Sequence, residues 1–135
     1  MNHERSNIND LCDVVRETSF AIHKFLRHGH MEKVYERSLV NRLIKQGIVS
    51  RPQEPMHVYD EDGTLLGEYF ADLLVESRLV VELKACSAIT TDHVAQLLGY
   101  LRSSRIENGL LINFGAPRLY IKKYILTFDD EYPSQ

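Results

Sequence analysis

Asp72, Glu82 and Lys84 are the residues whose types and spacing could do chemistry in this chain. Asp72 lies in an apolar run ending at Val75. Glu82 and Lys84 lie in the next run, LVVELKA at 79–85, and only Glu76, Ser77 and Arg78 intervene. If that link is a three-residue hairpin loop, Val75 pairs with Leu79, and continuing the register sets Asp72 opposite Glu82. Their Cβ atoms would then be about 5 Å apart on one sheet face. Lys84, two residues beyond Glu82, shares that face. The neighbours are apolar: Ala71, Leu73, Val75, Leu79, Val81 and Leu83 on one side, Phe70, Leu74 and Val80 on the other. Three charges so placed are costly to desolvate unless something pairs them. A hard divalent cation is one solution, because Mg²⁺ favours carboxylate oxygens and water. Such an ion lowers the pKa of bound water and stabilises charge developing on a phosphoryl group, while a lysine can orient the nucleophile or share that charge. The same spacing also occurs among ordinary surface charges, so the surrounding elements must decide.

Those elements follow from periodicity. Ile8, Leu11, Cys12, Val15, Ile22, Phe25 and Leu26 recur at three- and four-residue intervals and predict a helix over 8–26, stopped by Gly29. A second helix is expected from Met31 to Gln46, with Val34, Tyr35, Leu39, Leu43 and Ile44 inward and Gly47 as its stop. The RPQEP segment at 51–55 reads as a helix-free connection, because each proline removes a donor and restricts its predecessor. MHVYD and the run from Leu65 to Val75 flank Glu61, Asp62 and Gly63, a hairpin turn signal. The pattern returns to helical between Thr90 and Ser103, where His93, Gln96 and Tyr100 fall on one face and the leucines on the other. GLLINF at 109–114 and LYIKKYIL at 119–126 read as strands. The order is two helices, three strands, a crossover helix and two strands, which predicts an α/β or α+β domain with a central mixed sheet flanked by helices. A crossover helix after the ExK strand borders that strand's C-terminal end, where sites in open α/β sheets form. Gln96 and Tyr100 can hydrogen-bond phosphate or a base edge there.

The chain of 135 residues has the length of one domain, with a core over about 8–126 and a polar tail at 127–135. No apolar run reaches the roughly 20 residues needed to span a bilayer, and the N-terminus lacks a secretory layout, so a cytoplasmic address is expected. Cys12 and Cys86 show no metal-ligand spacing and read as reduced packing residues. A formal charge of −3 argues against coating nucleic acid by bulk electrostatics, so any such contact must be local and helped by a cation.

GHMEKVY at 29–35, GEYFADLLVESRLVVELKA at 67–85, HVAQLLGYL at 93–101 and GLLINFG at 109–115 stand in the order and form of one family. Over residues 8–126 the chain resembles the GxxExxY proteins, a small branch of the PD-(D/E)xK nuclease superfamily of RecB-like type. The resemblance implies a phosphodiester hydrolase acting on nucleic acid, DNA or RNA, with Mg²⁺ or Mn²⁺ as cofactor. It implies that Asp72 and Glu82 are metal ligands with the Leu83 carbonyl as a third, and that Glu32 is an extra acidic residue near the metal. Lys84 corresponds to the catalytic lysine, and Gln96 and Tyr100 to a QxxxY element that positions substrate and site. Glu32 has an ordinary alternative as a carboxylate at a helix N-terminus. Tyr35 is assigned to the core, Gly29 to a tight turn, and Asn113 to either strand-end hydrogen bonding or site support. The chain departs from the family pattern at Phe70, where a basic residue is expected, and at Gly99, where asparagine is common. Two readings compete with the nuclease: a non-catalytic nucleic-acid-binding or assembly module, and a structural partner in a larger complex or homo-oligomer.

Overall fold

Apolar runs in the middle of the chain, buried almost continuously over 79–84 and 108–113, build a five-stranded sheet, and the flanking amphipathic segments cover it. The computed structural model describes residues 7–128; the sequence-expected tail at 127–135 falls almost wholly outside them. The elements are α1 (Ile8–Leu26), α2 (Glu32–Lys45), β1 (Ser50–Tyr59), β2 (Leu65–Val75), β3 (Leu79–Lys84), α3 (Thr91–Ser104), β4 (Asn108–Asn113) and β5 (Tyr120–Ile125). The strands lie side by side in chain order. Every pairing is antiparallel except β3 with β4, and α3 makes the crossover that a parallel pair requires. The expected mixed sheet flanked by helices is present.

Two apolar layers hold it. Leu11, Val15 and Ile22 of α1 and Tyr35, Leu39 and Leu43 of α2 pack with Leu73, Val75, Val81, Leu83, Leu110 and Ile112 on one face. Leu97, Tyr100 and Leu101 of α3 pack with Met56, Ala71, Leu74, Val80 and Leu111 on the other. Helix ends follow local chemistry. Asn7 caps α1 by accepting from the Asp10 N–H at 2.8 Å. Thr90 and His93 cap α3 reciprocally, which commits His93 Nδ1 to the helix start.

Several expectations need correction. The RPQEP segment is not a connection: Pro52 and Pro55 lie inside β1, which the sheet tolerates because β1 is an edge strand. Phe25 is 76% exposed and Ile44 61% exposed, and Val34 also faces outward, so the buried stripes of α1 and α2 are narrower than periodicity suggested. Cys12 is in the core, whereas Cys86 lies half-buried in the β3–α3 connection. Among the described residues no helix is long and apolar enough to cross a membrane.

Candidate functional site

Strand β3 is central and buried along most of its length, and its C-terminal end carries Glu82 and Lys84. The link after β2 is the tight loop the spacing predicted: Glu76 and Ser77 both take positive φ, and the Arg78 N–H donates to the Val75 carbonyl at 3.0 Å. The ladder then runs Val75↔Leu79, Leu74↔Val80 and Leu73↔Val81. It ends one step short of Asp72 and Glu82. There the side chains replace the main-chain ladder: the Asp72 N–H donates to Glu82 Oε2 at 2.9 Å, and the Leu83 N–H donates to Asp72 Oδ2 at 2.8 Å. The two carboxyl groups are therefore interlocked across the splayed end of the strand pair.

The other neighbour of β2 accounts for the splay. Gln53, which continues the β1 register opposite Asp72, takes φ +53° and drops out of the ladder between Pro52↔Leu73 and Glu54↔Ala71. Side-chain alternation is offset there, since Ala71 and Leu74 pack on the α3 face while Leu73 packs on the other. This also leaves Phe70 half-exposed, not on the apolar α3 face where simple alternation placed it. Gln53 Nε2 donates to Glu36 Oε1 at 3.0 Å, and Lys33 Nζ donates to Glu36 Oε2 at 3.2 Å. Glu36 and Gln53 were not anticipated. Glu36 looks like an ordinary polar helix residue beside Tyr35, and Gln53 sits between prolines where no alternation can be read.

Electrostatics tie these groups together. Burial, then the neighbouring Asp72 carboxylate, pushes Glu82 up to about 9. Burial also raises Asp72; the Leu83 N–H opposes this and Glu36 reinforces it. Tyr100 is pushed up to about 12 by burial and then by Glu82 and Asp72. Glu32, in the first turn of α2, is solvent-facing, yet desolvation and Asp72 raise its carboxyl while Lys84 and the Ala85 backbone pull it down. Lys84 Nζ donates to Gln96 Oε1 at 3.0 Å, so α3 fixes the ammonium at the strand end. Tyr100 packs edge-on against Tyr69 of β2, with ring centroids 5.5 Å apart.

The loop after Lys84 is held from β4. Buried Asn113 accepts from the N–H groups of Cys86 and Gly115 and donates to the Cys86 carbonyl at 2.9 Å. A Cβ on Gly115 would meet the Cys86 nitrogen at 2.2 Å, so the chain can pass there only as glycine. Asn113 is thus a strand-end clamp beneath the site. Tyr35 is fully buried, stacked on Phe114 at 4.7 Å and hydrogen-bonded through its hydroxyl to Arg27 and His30, which makes it a core residue. Gly29, at φ +117°, makes the turn before α2.

The donor set can be tested against a divalent cation. Two adjacent acids with one only 3% exposed cannot both be charged without a counter-ion, and a hard cation would supply one. Carbonyls alternate sides along a strand, and the Lys84 carbonyl accepts from Phe114 on the β4 side, so that of Leu83 is directed to the Asp72 side. Among the described residues no three His, Cys, Asp or Glu side chains gather in a metal-holding group. Two carboxylates and a main-chain oxygen, with water filling the remainder, nevertheless suit Mg²⁺.

Comparison with known proteins agrees with the fold. The chain is similar over 72% of its length to half of the protein in the crystal structure of SSO0001, at a TM-score of 0.57 and 18% identity, a likeness of fold. It spans half the length of that protein. No curated protein matches it by sequence. The family model of the PD-(D/E)XK nuclease superfamily matches residues 9–124, a span that contains both interlocked carboxylates, the lysine and the glutamine that holds it, and the chain belongs to that superfamily.

Proposed function

We propose that the protein is a Mg²⁺- or Mn²⁺-dependent hydrolase of phosphodiester bonds in nucleic acid, of the GxxExxY type within the RecB-like branch. The observation that carries this reading is the interlock of Asp72 with Glu82 beside the Lys84–Gln96 hydrogen bond. Asp72, Glu82 and the Leu83 carbonyl would hold the cation. Bound there, it supplies Lewis acidity toward a phosphoryl oxygen and makes water acidic enough to yield a nucleophile at neutral pH. Gln96 keeps the Lys84 ammonium aimed at the strand end, where it stabilises negative charge on the phosphoryl group. Tyr100, far from ionising, serves as a hydrogen-bond donor. Glu32 is an extra acidic residue near the cation, close enough to feel Asp72, Lys84 and the Ala85 backbone, and Glu36 with Gln53 sets the backbone that presents Asp72.

The test is cleavage of end-labelled DNA and RNA, single- and double-stranded, with Mg²⁺, Mn²⁺ or a chelator. Wild type is expected to cut only with metal, and Glu82→Ala or Lys84→Ala to lose at least about a hundredfold in rate. Cleavage retained in either purified variant, or unaffected by chelator, would overturn the assignment.

A further inference from the structure

Beside the carboxylates, between α3 and the hairpin of β1 and β2, lies a cleft of about 250 Å³ whose walls include Val58, Tyr69, Gln96, Gly99, Tyr100 and Arg102. Two of these, Gln96 and Tyr100, also belong to the candidate site, so the cleft adjoins it. Gly99 stands inside α3, where glycine costs helix stability. No tight packing calls for it: a Cβ built there would have nothing within 4 Å, and its φ is not positive. The missing side chain therefore keeps a notch open. Tyr69 lies 49% exposed in the wall and packs in a T-shaped pair with Tyr100, a contact that restrains an aromatic ring still half open to solvent. Arg102, three residues beyond Gly99, stands at the rim and has no ion-pair partner among the described residues.

We infer that this cleft is a subsite for one unpaired nucleobase, stacked on Tyr69 and admitted by the notch at Gly99, with Arg102 contacting the adjoining phosphate. The inference deepens the proposed function and rests on it for the identity of the ligand. A cleft of about 250 Å³ has room for a single planar base. Bases within a duplex have their faces covered, whereas an unpaired base offers a face to an aromatic ring. The substrate class is accordingly single-stranded or locally opened nucleic acid. A chain of net charge −3 has little bulk attraction for phosphates, so such a local contact weighs heavily.

The experiment measures binding of fluorescein-labelled oligothymidylate and oligouridylate, the same strands annealed to complements, and a thymidylate strand with one abasic residue. It is done by anisotropy in chelator, so that no cleavage enters. Wild type should prefer the single strands. Gly99→Leu, whose Cβ has nothing within 4 Å and whose longer side chain would occupy the notch, and Tyr69→Ala should each weaken that binding by about tenfold, and Tyr69→Phe should restore it. Wild type and Gly99→Leu should differ less on the abasic strand, which can bind with the cleft empty. Unchanged affinity in Gly99→Leu and Tyr69→Ala, both shown folded by circular dichroism, overturns the subsite, as does equal or tighter binding of duplex by wild type. The two readings fail separately: intact base-dependent binding with no metal-dependent cleavage removes the nuclease and leaves the subsite, while cleavage with unaltered variant binding removes only the subsite.

Discussion

Glu82 concentrates the physics of this protein in one side chain, a carboxyl 3% exposed, hydrogen-bonded to the Asp72 N–H and facing the Asp72 carboxylate. Its pKa of about 9 in the folded state lies above the ordinary 4.5. In metal-free protein this group therefore contributes stability that is fully present below about 4.5 and lost as pH rises towards 9. Asp72 is shifted in the same direction. Denaturant unfolding in chelator from pH 5 to 9 should show stability falling with pH, and Glu82→Gln, which cannot ionise, should flatten that slope. An identical slope in the variant would show that Glu82 ionises as it does in water. Gln96 gives a second residue-scale prediction. Gln96→Ala should leave Mn²⁺ affinity within a few-fold of wild type and lower the cleavage rate by roughly tenfold, because it orients the lysine and not the carboxylates.

At the scale of elements, the site depends on the splayed end of β2–β3 and on the loop clamped by β4. Gln53 takes a left-handed backbone that glycine adopts freely, and its side chain tethers Glu36. Gln53→Gly should change unfolding free energy by less than about 1 kcal/mol while reducing cleavage several-fold, as the tether behind Asp72 is lost. A variant with full activity would remove Gln53 from the positioning of Asp72. Asn113 is different, since its three hydrogen bonds satisfy the Cys86 and Gly115 backbone in a buried setting. Asn113→Ala should cost about 2–4 kcal/mol in denaturant titrations.

For the whole molecule, cation binding and folding are linked through the two carboxylates, because the unfolded chain does not hold Asp72 beside Glu82. Mn²⁺ at about a hundred times its dissociation constant should stabilise wild type by about 2.7 kcal/mol, read as a rise in thermal midpoint. Asp72→Ala should show no such rise. A rise equal in both proteins would place the cation elsewhere. The layered architecture makes this coupling efficient: β3 is flanked by strands on both sides and covered on both faces, so the strand end that presents Glu82 and Lys84 has little freedom to relax.

Three features of the candidate site were legible from local order: the tight link at Glu76, Ser77 and Arg78, the period-two placement of Glu82 and Lys84, and the helical spacing of Gln96 and Tyr100. Each depends on short-range stereochemistry, which the order of residues fixes. The helix limits at Ile8, Leu26 and Thr90 followed from periodicity for the same reason. Only tertiary structure showed that β1 runs through Pro52 and Pro55, because an edge strand's tolerance for proline depends on which neighbour it lacks. Only tertiary structure brought Glu36, Gln53 and Tyr69 to the site, since their partners lie on other elements and no periodicity within one segment records them. The burial of Phe25, Val34 and Ile44 was misjudged on the same account: a helix's apolar stripe states what could be covered, and the neighbouring layer decides how much of it is.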